Sequence, residues 1–280
     1  MNKIVIIGAS GHAKVIIDIV EKQGIYEILG LIDSFKNKSE SVMGYSILGT
    51  ENEIPRLILD YKISGGIIAI GDNFTRKILH DKICKTNPTF NFVTAIHPNV
   101  AIGKNVSIGE GSVIMAGVVI NAYSKIGIQV ILNTKCAIDH DNNIGDFSSV
   151  APGATLGGNV RIGSGSAVSL GANIIENIQI GLNTIVGAGS LVLKSFGNNE
   201  VIYGIPAKTQ RERKDSDRYL GLTEPDLNNN ESYKLNFKTI RNDEDIKTYY
   251  SILKKFNRYN TFYSLEYCNH TPINQMSYFS

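Results

Sequence analysis

The chain has 280 residues, 42% of them hydrophobic and 19% charged, with a formal net charge of +2 at pH 7. This composition is ordinary for a globular protein long enough for two domains, and without a long basic block it predicts no nucleic-acid partner. The apolar run at the N-terminus breaks at Gly8, too soon for a signal segment or a membrane span. The three cysteines lack the spacing of a metal site or a disulfide framework. We therefore expect a cytoplasmic protein without membrane insertion and without a metal.

Residues 1–93 alternate short apolar strands with helical segments. Strands are predicted at KIVII, ILGLID and GGIIAIGDN, and helices at AKVIIDIVEKQ, NEIPRLILDYK and FTRKILHDKICK. The first strand is a continuous apolar run, as in a buried parallel sheet, and the first helix stops at Gly24. This order predicts a small, doubly wound, Rossmann-like α/β domain.

Three polar clusters follow the predicted strands: Gly8–His12, Asp33–Ser34 and Gly71–Asn73. Ligands of open α/β sheets bind beyond the carboxyl ends of the strands, so we expect the three clusters to face one crevice. The first offers backbone N–H groups at a helix N-terminus, which suit an anion such as a pyrophosphate. Asp33 could accept hydrogen bonds from a base or a ribose. Because GASG lacks the full G-x-G-x-x-G fingerprint, a plain tight turn stays open as an alternative, and the domain is short for a redox Rossmann enzyme.

From Ile96 to Val192, a branched aliphatic residue stands at every sixth position without a break. A helix cannot keep a period of six, whereas a short strand followed by a turn can, and three hexapeptides close one triangular coil of about 18 residues. Glycine often follows the aliphatic residue, and we expect it to supply turn conformations forbidden to residues with a Cβ atom. A β-sandwich is disfavoured because the spacing of hairpins drifts. Residues 94–210 are therefore predicted to form a parallel β-helix.

His140, in the segment AIDHDNNIGD, is the candidate catalytic residue. It lies outside the inward-facing column, and the residues one coil away, Ala122 and Gly158, are small, so the surface beside the imidazole is open. Carboxylates flank it, and a carboxylate beside an imidazole raises its basicity and can fix its tautomer. The backbone N–H of Gly158 lies on the same side and is a candidate oxyanion donor. A solvated surface histidine is the alternative.

The other histidines and the cysteine of the repeat are assigned no chemistry. His97 precedes a proline at the domain junction and is expected to serve structure, while His80 and His270 are expected to be solvated. Too few histidines lie in the repeat for the zinc site of a β-helix carbonic anhydrase. Cys136 is expected to pack inward, which makes it a poor nucleophile.

The hexapeptide pattern resembles the left-handed β-helix acyltransferases, most of which are trimers. More narrowly, bacterial nucleotide-sugar acetyltransferases resemble this chain at GASGHAKV, AIGDN, ILNTKCAIDHDNNIGDFSSVAPGATLGGNVRIG and GIPAK. They include the N-acetyltransferases of bacillosamine and perosamine synthesis and the related sialic acid O-acetyltransferases. The resemblance covers residues 1–208, roughly three-quarters of the chain. It implies a left-handed helix, acetyl-CoA as co-substrate, a nucleotide-activated amino sugar as acceptor, a homotrimer, and a place in lipopolysaccharide or capsule biosynthesis.

The resemblance also implies roles for individual residues. His140 is the general base of a direct transfer to an amine, and Asp141 tunes it. The nucleotide sugar is bound by Ser10, Gly11, His12, Asp33, Ser34, Gly71, Asn73 and Asn133. Acetyl-CoA lies between two subunits and is bordered by Ser149, Gly158, Leu170, Gly187, Ala188, Pro206 and Lys208. Two positions depart from the family, since relatives often carry histidine at Ser149 and some carry a second acidic residue at Ser34.

Two other functions stay open: an O-acetyltransferase of the sialic acid type, which would use the same base, and a non-catalytic β-helix binding module. Residues 211–280 are expected to be a charged linker followed by an α+β extension, with a strand at KLNFKTIR and an Asp-capped helix at DEDIKTYYSILKKFN. This extension reads either as the opening of a second domain or as a trimer-capping or partner-docking appendage. We expect residues 212–280 to be dispensable for folding and activity.

Overall fold

The computed structural model describes residues 1–214 and Asp217. Its first part is a five-stranded sheet in the order β3-β4-β2-β1-β5, parallel except for the β3–β4 pair. The strands are β1 (Asn2–Ile7), β2 (Tyr26–Ile32), β3 (Ser41–Val42), β4 (Tyr45–Gly49) and β5 (Gly65–Ile68). The helices are α1 (Gly11–Gln23), α2 (Ile54–Tyr61) and α3 (Asn73–Thr86), and a 3₁₀ turn at Glu51–Glu53 precedes α2.

This domain confirms the predicted α/β order. Gly24 ends α1 in the left-handed conformation at φ 68°, as a helix stop requires. The β3–β4 hairpin was not predicted, because its short strands lie in a segment rich in serine and charge with no clear alternation of hydrophobicity.

The second part is a parallel β-helix of seventeen two-residue strands, each ending on a residue of the aliphatic series. Paired residues are 18 apart, as Val119 and Ala137 show, so three hexapeptides make one coil as predicted. The aliphatic column is buried from Ile114 to Val192. Ile102 is 46% exposed, because its coil lies at the open N-terminal end of the stack.

The strands form three faces, and the first residue of each strand points outward. The covered face, which the N-terminal domain packs against, consists of β6 (Ala95–Ile96), β9 (Val113–Ile114), β12 (Ile131–Leu132), β15 (Ser149–Val150), β18 (Ala167–Val168) and β21 (Ile185–Val186). The small-residue face consists of β7 (Ala101–Ile102), β10 (Val119–Ile120), β13 (Ala137–Ile138), β16 (Thr155–Leu156), β19 (Asn173–Ile174) and β22 (Leu191–Val192). The polar face consists of β8 (Ser107–Ile108), β11 (Lys125–Ile126), β14 (Asn143–Ile144), β17 (Arg161–Ile162) and β20 (Gln179–Ile180).

Three edges separate the faces and are named here by one residue each. The Leu170 edge joins the covered face to the small-residue face. The His140 edge joins the small-residue face to the polar face. The Gln129 edge joins the polar face back to the covered face.

Glycine is required after the aliphatic residues for a different reason from the one predicted. The left-handed conformations fall two residues later in the turn, as at Asn105 (φ 61°) and Asp141 (φ 58°). The glycine after the aliphatic residue is required by close approach between coils instead. A Cβ atom on Gly163 would lie 2.5 Å from the backbone carbon of Gly181 in the next coil.

An antiparallel hairpin of β23 (Glu200–Gly204) and β24 (Ala207–Glu212) closes the C-terminal end of the stack. Phe196, Ile202 and Ala207 are buried against the last coils and cover them. Residues 211 and 212 therefore belong to a strand, where the sequence predicted the start of a linker. The strand and helix predicted further on lie outside the described residues.

Candidate active site

His140 lies on a corner between β13 and β14, with a side chain that is 59% exposed. Its Nδ1 is 2.8 Å from Oδ2 of Asp141, so this nitrogen carries the proton that the carboxylate accepts, and Nε2 is left as the base. The backbone N–H of His140 donates to Asp139 at 2.8 Å, and the Asn121 amide donates to the same carboxylate oxygen. These hydrogen bonds fix both the ring and the backbone of His140 at the corner.

The two carboxylates set the protonation of this site. The hydrogen bond that His140 donates to Asp141, and after it the charge of Asp139, raise the pKa of His140 above its ordinary value. Hydrogen bonds from Asn121 and from the His140 backbone lower the pKa of Asp139, which is therefore ionised at neutral pH. A raised pKa makes His140 a stronger base that is charged over a wider pH range.

The imidazole packs on Gly158, one coil further along the His140 edge. A Cβ atom on Gly158 would lie 2.7 Å from both Cε1 and Nε2 of His140, so only glycine leaves room for this ring position. Beneath the corner, the buried Asn142 amide donates to the carbonyls of Asp139 and Gly157. We did not predict this support. The signal was an asparagine in a column otherwise filled by small or aliphatic residues.

The N-terminal crevice is held together by Asp33. Its carboxylate accepts the backbone N–H of Ala9 at 2.9 Å, of Phe35 at 2.8 Å and of Lys36 at 3.2 Å. Ser10 and Gly11 are exposed at the start of α1. The predicted first and second clusters therefore meet at one place. Asp33 also has a bracing role between the two loops, which the sequence did not suggest.

His12 lies in the first turn of α1 and is largely buried. Burial, and then the nearby Arg76 guanidinium, lower the pKa of His12 to about 4, so the ring is neutral at neutral pH. Its Nε2 is buried without a hydrogen-bond partner among the described residues. A neutral imidazole of this kind can donate or accept one hydrogen bond from a ligand.

Ser34 donates its hydroxyl to Glu51, which also accepts from Lys82 at 2.7 Å. These hydrogen bonds outweigh the opposing effect of desolvation, so the pKa of Glu51 is lowered. Glu51 was not predicted. It places a carboxylate beside Ser34, the position where some relatives carry an acidic residue.

Two residues with predicted ligand contacts are buried between the domains. Asn73 is 2% exposed, and its amide bonds to Ser149, to Arg76 and to the β-helix carbonyls of Gly165 and Ser166. Ser149 is 4% exposed between Asn73 and Arg76. Both residues join the two domains, and the expected roles of Asn73 in sugar binding and of Ser149 in cofactor binding stay predictions. Gly71 is half-buried and its carbonyl accepts from Arg76.

The other predicted cofactor residues follow the Leu170 edge. Leu170 is 59% exposed, and Ala188 is exposed one coil further on. The hairpin turn with Pro206 and Lys208 continues the edge: a Cβ atom on Gly187 would lie 2.7 Å from Cβ of Tyr203, next to this turn. Asn133 stands on the same edge two coils before Leu170. Gly158 does not join this group, because it lies on the His140 edge.

The predictions for Cys136 and for the other histidines have different outcomes. Cys136 is buried, and burial raises the pKa of its thiol to about 12, which confirms it as a poor nucleophile. His97 accepts the backbone N–H of Asn99 in a turn, as a structural residue does. His80 was expected to be solvated, and this is wrong. It is 9% exposed: within its own domain it stacks on Phe92 with ring centroids 4.6 Å apart, and where α3 packs on the β-helix it meets Phe147 edge-on at 5.2 Å.

A cleft of about 220 Å³ lies on the polar face around Arg161 and Gln179, and it does not include His140. Within residues 1–214 and 217, no group of three histidine, cysteine or acidic residues is arranged to hold a metal. None of the helices in the same part of the chain is long and apolar enough to cross a membrane.

Comparison with known proteins covers both parts of the chain. Residues 3–83 match the PglD N-terminal domain family. A UDP-N-acetylbacillosamine N-acetyltransferase from Bacillus subtilis is 36% identical over 120 residues, which is 41% of this chain. The match spans about half, 52%, of that curated relative.

Solved structures extend the likeness to both domains. A histidine-to-asparagine variant of perosamine N-acetyltransferase from Caulobacter crescentus, in complex with CoA and GDP-perosamine, is 34% identical with a TM-score of 0.71. The match covers 76% of this chain and 98% of that one. The acetyltransferase domain of PglB from Neisseria gonorrhoeae, in complex with acetyl coenzyme A, is 31% identical with a TM-score of 0.69. That match covers 75% of this chain and 100% of the domain, and with the fold above it confirms the left-handed β-helix class.

Proposed function

The chain belongs to the nucleotide-sugar N-acetyltransferases of the hexapeptide-repeat family, and on this premise we propose that it transfers acetyl from acetyl-CoA to the amine of a nucleotide-linked amino deoxy sugar. The observation that carries the proposal is the His140–Asp141 pair, 2.8 Å apart on an open corner of the β-helix. The reaction belongs to lipopolysaccharide or capsule biosynthesis and takes place in the cytoplasm.

His140 acts as the general base. A sugar amine is mostly protonated at neutral pH and needs to lose a proton before its nitrogen can attack the thioester carbonyl. Nε2 of His140 takes that proton, while Asp141 holds the opposite ring nitrogen and stabilises the imidazolium that forms. The amine attacks directly, and no acyl-enzyme forms. The buried thiol of Cys136 is unsuited to carry one.

The oxyanion that develops on the thioester carbonyl needs a hydrogen-bond donor. The Gly158 amide remains our candidate. It lies directly beside the His140 ring, and no acceptor for it is present among the described residues. Its position beside the base places donor and base on one side of the reacting carbonyl.

A complete site requires more than one chain. The N-terminal crevice sits on the covered face, whereas His140 lies on the edge opposite that face. Adjacent edges are separated by one hexapeptide, roughly 15–20 Å for an extended chain. The crevice and the base of one chain are therefore on different sides of the prism. We infer that the crevice of one subunit works with His140 of the next, in a homotrimer.

The small-residue face is the surface suited to this assembly. Its outward residues are Ala101, Val119, Ala137, Thr155, Asn173 and Leu191, and four of the six are exposed. The polar face instead carries Lys125 and Arg161, and the covered face is already occupied. Packing three small-residue faces about an axis brings the Leu170 edge of one subunit against the His140 edge of the next. Acetyl-CoA would then lie along the Leu170 edge within reach of a neighbouring base.

The test is incubation of the purified chain with acetyl-CoA and a panel of UDP-, GDP- and dTDP-linked amino sugars, followed by mass spectrometry. We expect one amino sugar to gain a single acetyl group as a base-stable amide. Failure to acetylate any amino sugar would count against the proposal. An alkali-labile ester on a sugar hydroxyl would favour the O-acetyltransferase alternative.

The variant His140→Ala tests the general-base role. It should lower kcat by about 10²- to 10⁴-fold, the usual contribution of a general base, and leave acetyl-CoA binding nearly unchanged. In Caulobacter crescentus perosamine N-acetyltransferase, variants with asparagine or alanine in place of one histidine still form complexes with CoA and GDP-perosamine. The control is His97→Ala, which removes a β-helix histidine outside the site. Full activity of His140→Ala would remove this residue from the mechanism.

A further inference from the structure

Arg76 lies on α3 at the contact between the two domains and is 1% exposed. Within its own domain, Nη1 donates to the carbonyl of Ile70 at 3.0 Å and to that of Gly71 at 2.9 Å. These carbonyls belong to the loop after β5, which carries the third polar cluster of the crevice. This loop lies against the first cluster, since a Cβ atom on Gly8 would be 2.9 Å from the carbonyl oxygen of Ala69, so Arg76 holds a loop that borders the crevice.

The same guanidinium reaches two coils of the β-helix. Nε donates to the carbonyl of Gln129 at 2.9 Å, and Nη2 donates to that of Phe147 at 3.2 Å. Gln129 and Phe147 are equivalent residues on successive coils of the Gln129 edge, 18 positions apart. His140 lies in the chain between them. The Arg76 guanidinium thus bonds the loop after β5 to the coil that carries His140.

Asn73 extends this contact to a third coil. Its Oδ1 accepts from Nη2 of Arg76 at 2.7 Å and from the Ser149 hydroxyl at 2.5 Å. Its Nδ2 donates to the carbonyls of Ser166 at 3.0 Å and Gly165 at 3.3 Å. We call Asn73, Arg76 and Ser149 the Arg76 latch. Only arginine offers five donors in a rigid plane, which this spread of carbonyls requires.

We propose that Arg76 is a positioning residue that sets where the nucleotide crevice stands on the β-helix. The inference rests on the proposed function, in which the sugar amine has to reach His140 of a neighbouring subunit. The β-helix is held by a continuous backbone ladder, so a crevice bonded to its coils keeps a constant place relative to every edge. A displacement of about 1 Å far from the reacting atoms can cost roughly 10²-fold in rate.

The experiment compares Arg76→Met and Arg76→Lys as full-length trimers. We expect Arg76→Met to lower kcat/KM for the nucleotide sugar by about 10- to 100-fold through misplacement of the acceptor, with the Kd for acetyl-CoA unchanged. Arg76→Lys should fall between it and the wild type, because lysine donates from a single point. Arg161→Met, on the exposed polar face, is the control and should behave as the wild type.

Ser149→Ala is the second variant, and it keeps the test valid if Arg76→Met does not fold. It removes one hydroxyl from the latch, and we expect a smaller loss of kcat/KM for the nucleotide sugar with an unchanged KM for acetyl-CoA. A rise in the acetyl-CoA KM alone would place Ser149 in the cofactor groove, as the family resemblance implied, and would overturn its place in the latch.

Wild-type kcat and KM in a folded, trimeric Arg76→Met protein would overturn the proposal, and so would an equal loss of acetyl-CoA binding. If the wild type acetylates no amino sugar, the proposed function fails, but the latch is still tested by amide hydrogen exchange. Faster exchange at residues 70–76 and 147–150 in Arg76→Met would support the latch. Unchanged exchange there would refute it.

Discussion

The proposed base, His140, depends on a neighbouring backbone conformation that few residues with a side chain adopt. Asp141 has a φ of 58°, in the left-handed region that aspartate and asparagine enter more readily than other residues with a side chain. This turn brings its carboxylate back to within 2.8 Å of the imidazole that precedes it. The adjacent pair in the sequence therefore becomes a hydrogen-bonded pair only because the turn has this shape.

The first prediction concerns the pH dependence. Because hydrogen bonding to Asp141 is the main cause of the raised pKa of His140, Asp141→Asn should lower that pKa. The base form is lost as pH falls through the pKa, so the acidic limb of kcat/KM should move to lower pH in the variant. Its plateau should also fall, since a less basic imidazole accepts a proton less readily. The measurement is a pH–rate profile of both proteins on one acceptor.

Comparing the two proteins on the same acceptor cancels the titration of the sugar amine. The asparagine introduced by Asp141→Asn still suits the left-handed turn, so the fold should be preserved. If the acidic limb of the Asp141→Asn profile stayed at the wild-type pH or moved to higher pH, the role assigned to Asp141 would be contradicted.

The second prediction concerns Gly158. In Gly158→Ala, the added Cβ would lie 2.7 Å from the His140 ring, so the imidazole would have to swing out into solvent. We expect kcat to fall by about 10- to 100-fold, in line with a misplaced catalytic group. The melting temperature should stay close to that of the wild type, because the displaced group is an exposed side chain.

Gly24→Ala is the opposite control. Its Cβ would meet nothing within 4 Å, but its φ of 68° is left-handed, which costs a non-glycine residue about 1–2 kcal/mol. We expect this variant to lose stability and keep its kcat. Equal loss of activity in both variants would argue that Gly158 acts through stability alone.

At the scale of elements, the crevice is made where the loops after β1 and β2 meet, and Asp33 joins them through the Ala9 amide. The third prediction is that Asp33→Ala raises the KM for the nucleotide sugar roughly tenfold or more. Losing a charged hydrogen bond to a ligand costs about 1.5–3 kcal/mol, and the loops also lose their brace. Steady-state kinetics with each substrate varied in turn will measure it.

The KM for acetyl-CoA should not change in Asp33→Ala, because the Leu170 edge belongs to the other domain. Asp18→Ala is the control, since Asp18 is a carboxylate of the same domain whose one ion pair within the described part of the chain is with the exposed Lys22. A rise in the acetyl-CoA KM alone would reverse our assignment of substrates to domains.

At the scale of the whole molecule, a site shared between subunits predicts complementation. Co-assembly of His140→Ala with Asp33→Ala should regain activity, because one subunit supplies an intact crevice and its neighbour an intact base. Random mixing of equal amounts leaves about a quarter of the sites intact in a closed ring. Mixed trimers would be purified by two affinity tags and assayed against each parent. Activity no higher than that of the parents would place the whole site within one chain.

The last prediction concerns where the chain can be shortened. Residues 212–280 were expected to be dispensable, but Arg213 is 3% exposed and donates to the carbonyl of Gly165, which also accepts from Asn73 of the latch. A chain ending at Asp217 should stay trimeric and active, since the solved relatives are matched almost completely by three-quarters of this chain. A chain ending at Glu212 should melt at a lower temperature. Equal stability of both truncations, measured by calorimetry, would show that Arg213 contributes nothing.

The sequence by itself determined the β-helix, the α/β order of the first domain and the open corner at His140. Each of these follows from spacing along the chain: an aliphatic column every six residues, strands that alternate with helices, and small residues one coil from an imidazole. Such patterns act between neighbours in sequence or between equivalent coils, so they can be read without knowing how the domains meet.

Only the tertiary structure decided which polar residues form the contact between the two domains. Asn73 and Ser149 are 76 positions apart, and their contact exists because α3 docks on the covered face, which no local pattern specifies. The same docking places His80 against Phe147 of the β-helix. It also puts the crevice on the face opposite His140, so the proposal of a site shared between two subunits could not be derived from spacing. Which polar groups are buried depends on which surfaces pack together, and this packing is decided only in the complete fold.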